Sequence, residues 1–151
     1  MSSGFNKLGE GCLATSSIRV LVVDDYEPFR RILFSRLQKT SSLYVCWEAS
    51  DGLEAVQKAE ELQPDLILLD IGLPKLNGIE VARRIRKVSP GSKILFVSQE
   101  SSADAVQEAL GTGAQGYVVK IDAGTELLEG VKAVLLGERF VGRRFSGHDF
   151  F

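Results

Sequence analysis

Two kinds of apolar pattern take turns along this chain. The first is the short contiguous run: Ile18 to Val23, Leu43 to Ala49, Leu66 to Leu69, Lys93 to Ser98 and Gly116 to Lys120. Four residues such as Leu66-Ile-Leu-Leu69 are too few for a stable helix. An unbroken apolar run of that length reads as a strand covered on both faces, the pattern of a parallel sheet. Between the runs, apolar residues recur at helical spacing. Phe29, Ile32, Leu33 and Leu37 follow i, i+3, i+4 and i+8 behind Glu27 and Pro28, which suit a first helical turn. Asp51 is placed to N-cap a helix carrying Leu53, Val56, Ala59 and Leu62, stopped by Pro64. Gly78 opens a third helix with Ile79, Ala82 and Ile85 inward, closed by Pro90-Gly91. Val106, Ala109, Leu110 and Gly113 mark a fourth, and Leu127, Val131, Val134 and Leu135 a fifth, with Gly137 as its C-cap.

Alternating strands and helices with short connections and right-handed crossovers leave few topologies. The favoured one is an α/β fold, a doubly wound five-stranded parallel sheet with five helices on its two faces. All strands of such a sheet end on one edge. That edge would gather Asp24 and Asp25, Asp70, Ser98 and Lys120, residues spread over almost the whole periodic sequence. Asp70 is followed by Gly72, Pro74 and Gly78 in a turn-rich loop, at the carboxyl end of a strand, where open α/β sheets keep their ligand sites.

Composition narrows the picture further. At 151 residues, 44% hydrophobic and 25% charged, the chain fits one domain with a sizeable core, and its formal net charge of −2 gives no general reason to bind nucleic acid or an anionic membrane. Cys12 and Cys46 have no metal-ligand spacing and are too few for a disulfide framework, so a reducing cytoplasmic setting is expected. No apolar run approaches the roughly 18 residues of a membrane span, and the first residues lack the features of a secretory signal. Residues 1–17 are Ser/Gly-rich and aperiodic and are expected to form a disordered arm before a domain over 18–137. The tail over 138–151 alternates Arg139, Arg143 and Arg144 with Phe140, Phe145, Phe150 and Phe151. It is read as a linker stub or self-association segment in preference to a base-stacking surface.

Three carboxylates near one point repel, each pair by on the order of 3 kcal/mol at about 5 Å and an effective dielectric near 20. A raised pKa or a bound cation relieves this. Oxygen ligands with no histidine or cysteine beside them favour Mg²⁺, and the lone His148 forms no cluster. Lys120 offers a positive charge and Ser98 a hydroxyl, both suited to phosphoryl oxygens, and a carboxylate among them is placed to form an acyl phosphate.

Taken together, the double Asp24-Asp25, Asp70 followed by Leu73-Pro74 and Gly78, then Ser98, and Tyr117 with Lys120 resemble the receiver domain of two-component response regulators, the CheY-like, flavodoxin-like fold. The resemblance covers residues 18–136. It implies that Asp70 is phosphorylated by a sensor histidine kinase or a phosphotransfer protein. It also implies that Asp25, Asp70 and the Gly72 carbonyl bind Mg²⁺ directly, with Asp24 acting through water. Lys120 and Ser98 would contact the phosphoryl group, and Tyr117 would turn inward as Ser98 moves. The responsive surface would be the fourth and fifth strand-helix face, meeting a downstream protein or a second copy in a homodimer.

The chain would then be a signalling protein and not a metabolic enzyme. Gly137-Glu-Arg-Phe140 is similar to receivers of LuxR/NarL-type regulators, so the alternative is the receiver portion of a longer DNA-binding transcriptional regulator. With no recognition helix among these residues, the chain alone is expected to bind neither nucleic acid nor membrane. A Mg²⁺-dependent aspartyl phosphatase would need a second acid where Gly72 stands. Three departures from the family pattern stand out: Ile121 replaces the usual proline after the lysine, and Gln99 and Glu100 follow the serine, where they are expected to alter the pace of phosphoryl exchange.

Overall fold

The computed structural model describes residues 17–151; the expected arm over 1–17 lies, apart from Ser17, outside them. The chain alternates β1 (Ile18–Val23), α1 (Glu27–Leu37), β2 (Leu43–Ala49), α2 (Gly52–Leu62), β3 (Leu66–Leu69), α3 (Gly78–Val88), β4 (Lys93–Ser98), α4 (Ala103–Leu110), β5 (Gly116–Val119), a 3-10 turn (Lys120–Asp122) and α5 (Ala123–Leu135). A sixth short strand, β6 (Phe140–Val141), and a second 3-10 turn (Arg143–Phe145) follow. The strands form one parallel sheet in the order β2-β1-β3-β4-β5-β6.

Side chains of successive strand residues point to opposite faces, and the core divides accordingly. Leu21, Val23, Ile67, Leu69, Phe96 and Tyr117 pack with Ala55, Ala59, Ile79, Ile85 and Val106 of α2, α3 and α4. Val20, Val22, Leu66, Leu68, Leu95 and Val118 pack with Leu33, Leu37, Leu127 and Val131 of α1 and α5. Because β3 is buried along its whole length on both faces, its four residues belong to both layers.

Local signals act as expected in most places. Asp51 Oδ1 accepts the Glu54 N–H at 2.8 Å, Asn77 Oδ1 caps α3 by accepting from Ile79 and Glu80, and Gly137 turns the chain at φ +87° after α5. Two apolar positions depart from the expected faces. Ile32 is 48% exposed and Leu53 50% exposed. In α1 the buried pair is Leu33 and Leu37, which puts Ile32 a step of about 100° round the helix from Leu33. In α2 the inward residues are Gly52, Ala55 and Ala59, a narrow face that lets the helix approach so closely that a Cβ on Gly52 would stand 2.0 Å from the Leu76 carbonyl oxygen.

The largest difference concerns 138–151. Phe140 donates its N–H to the Gln115 carbonyl and Gly142 to that of Tyr117, each at 3.1 Å, so β6 extends the sheet at β5 and the five expected strands become six. Phe145 is only 6% exposed. In the segment that read as a linker stub or self-association segment, Arg139, Arg143 and Arg144 face outward, Phe145 is buried, Phe140 and Phe150 are half-buried, and Phe151 stays exposed. Among the described residues, no helix is long and apolar enough to cross a membrane.

Leu68→Ala in β3 should cost about 2–5 kcal/mol of unfolding free energy, whereas Leu53→Ala should stay within about 0.5 kcal/mol. Urea unfolding of the two variants against the parent distinguishes these outcomes; similar losses at both sites would contradict the placement of α2.

Candidate functional site

The chain leaves β1 toward β2 and leaves its neighbour β3 toward β4, so these two connections run in opposite directions and open a crevice beyond the carboxyl ends of β1 and β3. Val23 pairs with Leu69, and the Asp70 N–H bonds the Val23 carbonyl at 3.1 Å. The next residue of each strand is therefore an acid beside an acid. Asp24 is 1% exposed and Asp70 6%, while Asp25 faces solvent, and one carboxylate oxygen from each of the three lies within 4.8 Å of the others. Ser98 pairs with Val119 across β4 and β5, so Lys120 emerges one step later toward the same edge. Its Nζ stands 2.7 Å from Asp24 Oδ2 and 3.1 Å from Asp70 Oδ2.

Main-chain groups orient both acids. Asp24 Oδ1 accepts the Tyr26 N–H at 2.8 Å and Asp70 Oδ1 the Ile71 N–H at 2.7 Å. The loop after Asp70 is drawn in at Gly78, where a Cβ would stand 2.0 Å from the Asp70 carbonyl oxygen. Gly72 has open space where a Cβ would be, so packing does not demand glycine there; a main-chain carbonyl ligand would not demand it either.

Ser98 and Tyr117 join the acids less directly. Ser98 Oγ accepts the Glu100 N–H at 3.2 Å, and Tyr117 Oη donates to the Glu100 carbonyl at 2.8 Å. The Tyr117 ring is fully buried, stacked with Phe96 at 6.0 Å and met edge-on by Phe145 at 6.3 Å. The structure thus brings Asp24, Asp25, Asp70 and Lys120 into one cluster and links Ser98 and Tyr117 through the Glu100 main chain. Gln99 and Glu100 are exposed, and Ile121 is 82% exposed within the 3-10 turn.

Three further residues shape the cluster. Arg30 Nη1 donates to the Asp24 carbonyl at 2.7 Å, and its Nε bonds Glu48 on β2 at 3.0 Å. The Phe29 ring lies 4.6 Å from Lys120 Nζ, a cation–π contact. The helical spacing identified Phe29 only as a core residue. An arginine one turn into the helix after the acid pair, with a glutamate on the neighbouring strand, was the available signal for the other two.

Burial pushes the Asp24 carboxyl above its ordinary value and the charge of Asp70 adds to this; the bonds from Lys120 and the Tyr26 N–H offset only part. For Lys120, burial works toward a lower value, but the bonds to Asp24 and Asp70 outweigh it and the ammonium is favoured. Burial raises the Tyr117 phenol to about 12, with Glu100 and Asp70 contributing, against a lowering bond from Ser98. Three carboxylates face one ammonium, and the donor set is oxygen only, which fits a hard divalent cation such as Mg²⁺.

The sequence profile of the response regulator receiver domain matches residues 20–132. The chain belongs to this family. It is 35% identical over 116 residues to the chemotaxis protein CheY of Thermotoga maritima, covering 77% of this chain and 96% of CheY. To the transcriptional regulatory protein DegU of Brevibacillus brevis it is 33% identical over 126 residues, 83% of this chain and 53% of DegU. A crystal structure of a LuxR-family two-component response regulator from Aurantimonas sp. SI85-9A1 superposes with a TM-score of 0.82 at 30% identity, over 87% of this chain and 94% of that one. The chain spans only 53% to 60% of the length of several curated relatives. It is a response regulator receiver domain with the CheY-like fold, a signalling domain.

The Tyr117 phenol has a folded-state value near 12 against an ordinary 10.0, so the neutral form contributes stability that is fully present below pH 10 and lost as pH rises toward 12. Unfolding free energy of the parent should therefore fall more steeply between these limits than that of Tyr117→Phe. Parallel pH profiles for the two proteins would mean that the phenol is not held neutral by its surroundings.

Proposed function

We propose that this receiver accepts a phosphoryl group on Asp70 and changes its binding of other proteins in response. The observation that carries the reading is the cluster itself: two buried carboxylates sharing the Lys120 ammonium, with a third, exposed carboxylate completing an oxygen set within 4.8 Å. A carboxylate oxygen of Asp70 attacks the phosphorus of a phosphohistidine on a kinase or phosphotransfer protein. The phosphorus–nitrogen bond breaks, its electron pair stays on the imidazole, and an acyl phosphate forms. Asp25, Asp70 and the Gly72 carbonyl would hold Mg²⁺, with Asp24 acting through water. When bound, the ion supplies positive charge that offsets the carboxylate repulsion and the charge on the transferred oxygens.

The protein's own groups respond to what has changed. Phosphorylation adds roughly −1.5 to −2 charge at the sheet edge, and Lys120 then finds its strongest acceptor in the phosphoryl oxygens. Ser98 can exchange its contact with the Glu100 N–H for donation to another of those oxygens. The segment from Ser98 to Tyr117 is thereby biased between two arrangements, which is how a local charge becomes a change on the β4-α4-β5-α5 face. Binding of a downstream protein, or of a second copy, at that face belongs to the same reading, as does a cytoplasmic setting.

A second reading is favoured by one observation. The chain covers little more than half of DegU, a transcriptional regulatory protein. In that reading these residues are the receiver part of a longer DNA-binding regulator, and the chemistry at Asp70 is unchanged.

Incubation with acetyl phosphate and Mg²⁺, followed by intact-mass measurement, should show the gain of one phosphoryl group. The gain should vanish with a chelator and in Asp70→Asn. A gain that survives Asp70→Asn would place the acceptor elsewhere.

A further inference from the structure

The C-terminal strap, remote in sequence from the acids, reaches the site through one aromatic contact. It is fastened to the body at several points. β6 pairs with β5, the Arg143 N–H donates to Glu126 Oε2 at 3.0 Å, and the Arg144 guanidinium bonds both oxygens of Asp122 at 2.7 and 3.2 Å. The strap crosses close to the body at Gly142, where a Cβ would stand 2.6 Å from the buried Glu126 Oε1 and would displace that carboxylate. These ties deliver Phe145 into the α4 side of the core, with its ring perpendicular to that of Tyr117 at 87°, and Phe150 packs edge-on behind it at 5.9 Å. Edge-to-face pairs of this kind contribute beyond the area they bury.

The path continues inward from Tyr117. Its hydroxyl holds the Glu100 carbonyl, and the Glu100 N–H is held by Ser98 Oγ, the group that would turn to a phosphoryl on Asp70. β5 would be the sheet edge without β6. With Phe145 removed, the Tyr117 ring would lose the wall on its outer side and gain freedom to swing toward solvent.

We propose that Phe145 is a positioning residue for the phosphoryl site: packed against Tyr117, it holds the phenol inward on Glu100, the arrangement into which the site settles when Ser98 turns toward Asp70. The inference rests on Asp70 being the phosphoryl acceptor. Coupling of this kind is reciprocal, so a docked strap strengthens occupancy of the phosphoryl site, and occupancy strengthens docking of the strap.

The test uses the whole 151-residue chain and beryllium fluoride, a phosphoryl analogue that cannot be transferred, titrated calorimetrically at saturating Mg²⁺. Phe145→Ala should weaken half-saturation about fivefold or more, and Phe145→Leu should recover most of the loss. In a Tyr117→Ala background, Phe145→Ala should cause no further loss. In the parent, amide hydrogen exchange at Gly142 and Phe145 should slow on saturation. Parent-like affinity in Phe145→Ala overturns the inference, and so does an equal loss with and without Tyr117. Should Phe145→Ala fail to fold, the parent's exchange decides, and unchanged exchange at the strap overturns it. A parent that binds no beryllium fluoride removes the Asp70 reading and this inference with it; a parent that binds with an insensitive strap removes this inference alone.

Discussion

A single ammonium shared by two buried carboxylates governs the upper edge of this sheet. Lys120 lies within 3.1 Å of both Asp24 and Asp70, and neither acid has much access to water. Removing a partner from a buried ion pair is costly because the remaining charge has lost its solvent and gains nothing in return. Yet one lysine cannot balance three carboxylates; burial raises the Asp24 pKa and the charge of Asp70 adds to it. The cluster is paired well enough to persist in the fold and remains negative enough to attract a cation. Its receptiveness to chemistry follows from that imbalance.

The sheet makes this arrangement rigid. Asp24 and Asp70 are placed by the β1–β3 register and Lys120 by the β4–β5 register, so their separation is set by interstrand hydrogen bonds and hardly by loop geometry. The adjoining backbone is also restrained. Arg30 fastens the Asp24 carbonyl and is itself held by Glu48, while the close approach at Gly78 ties the loop after Asp70 to the start of α3. Precise placement of side chains comes from elements that cannot move independently.

The strap supports the β5 side of the sheet. By pairing with β5 it covers a sheet edge that would otherwise present unpaired backbone groups, and by burying Phe145 it gives Tyr117 an aromatic neighbour on each side. The phenol lies inward and donates to the Glu100 carbonyl. The packing around Tyr117 therefore includes residues beyond the last long helix.

The sequence by itself determined the order of the first five strands and five helices, the two-sided burial of β3, and the acids, hydroxyl and amine at the strand ends. Those features are local: contiguous apolar runs, a 3.6-residue period and caps such as Asp51 and Gly137 act within a few positions. Only the tertiary structure decided that Ile32 and Leu53 face outward, because which flank of an apolar stripe is buried depends on the partner it meets. Two other outcomes also needed coordinates: Arg30 reaching the Asp24 carbonyl, and Tyr117 resting inward against Phe145. These contacts join residues 6 and 28 positions apart through space. β6 was illegible for a related reason. Two residues carry too little periodicity to announce a strand, and Phe140-Val141 becomes one only because β5 offers it an unpaired edge.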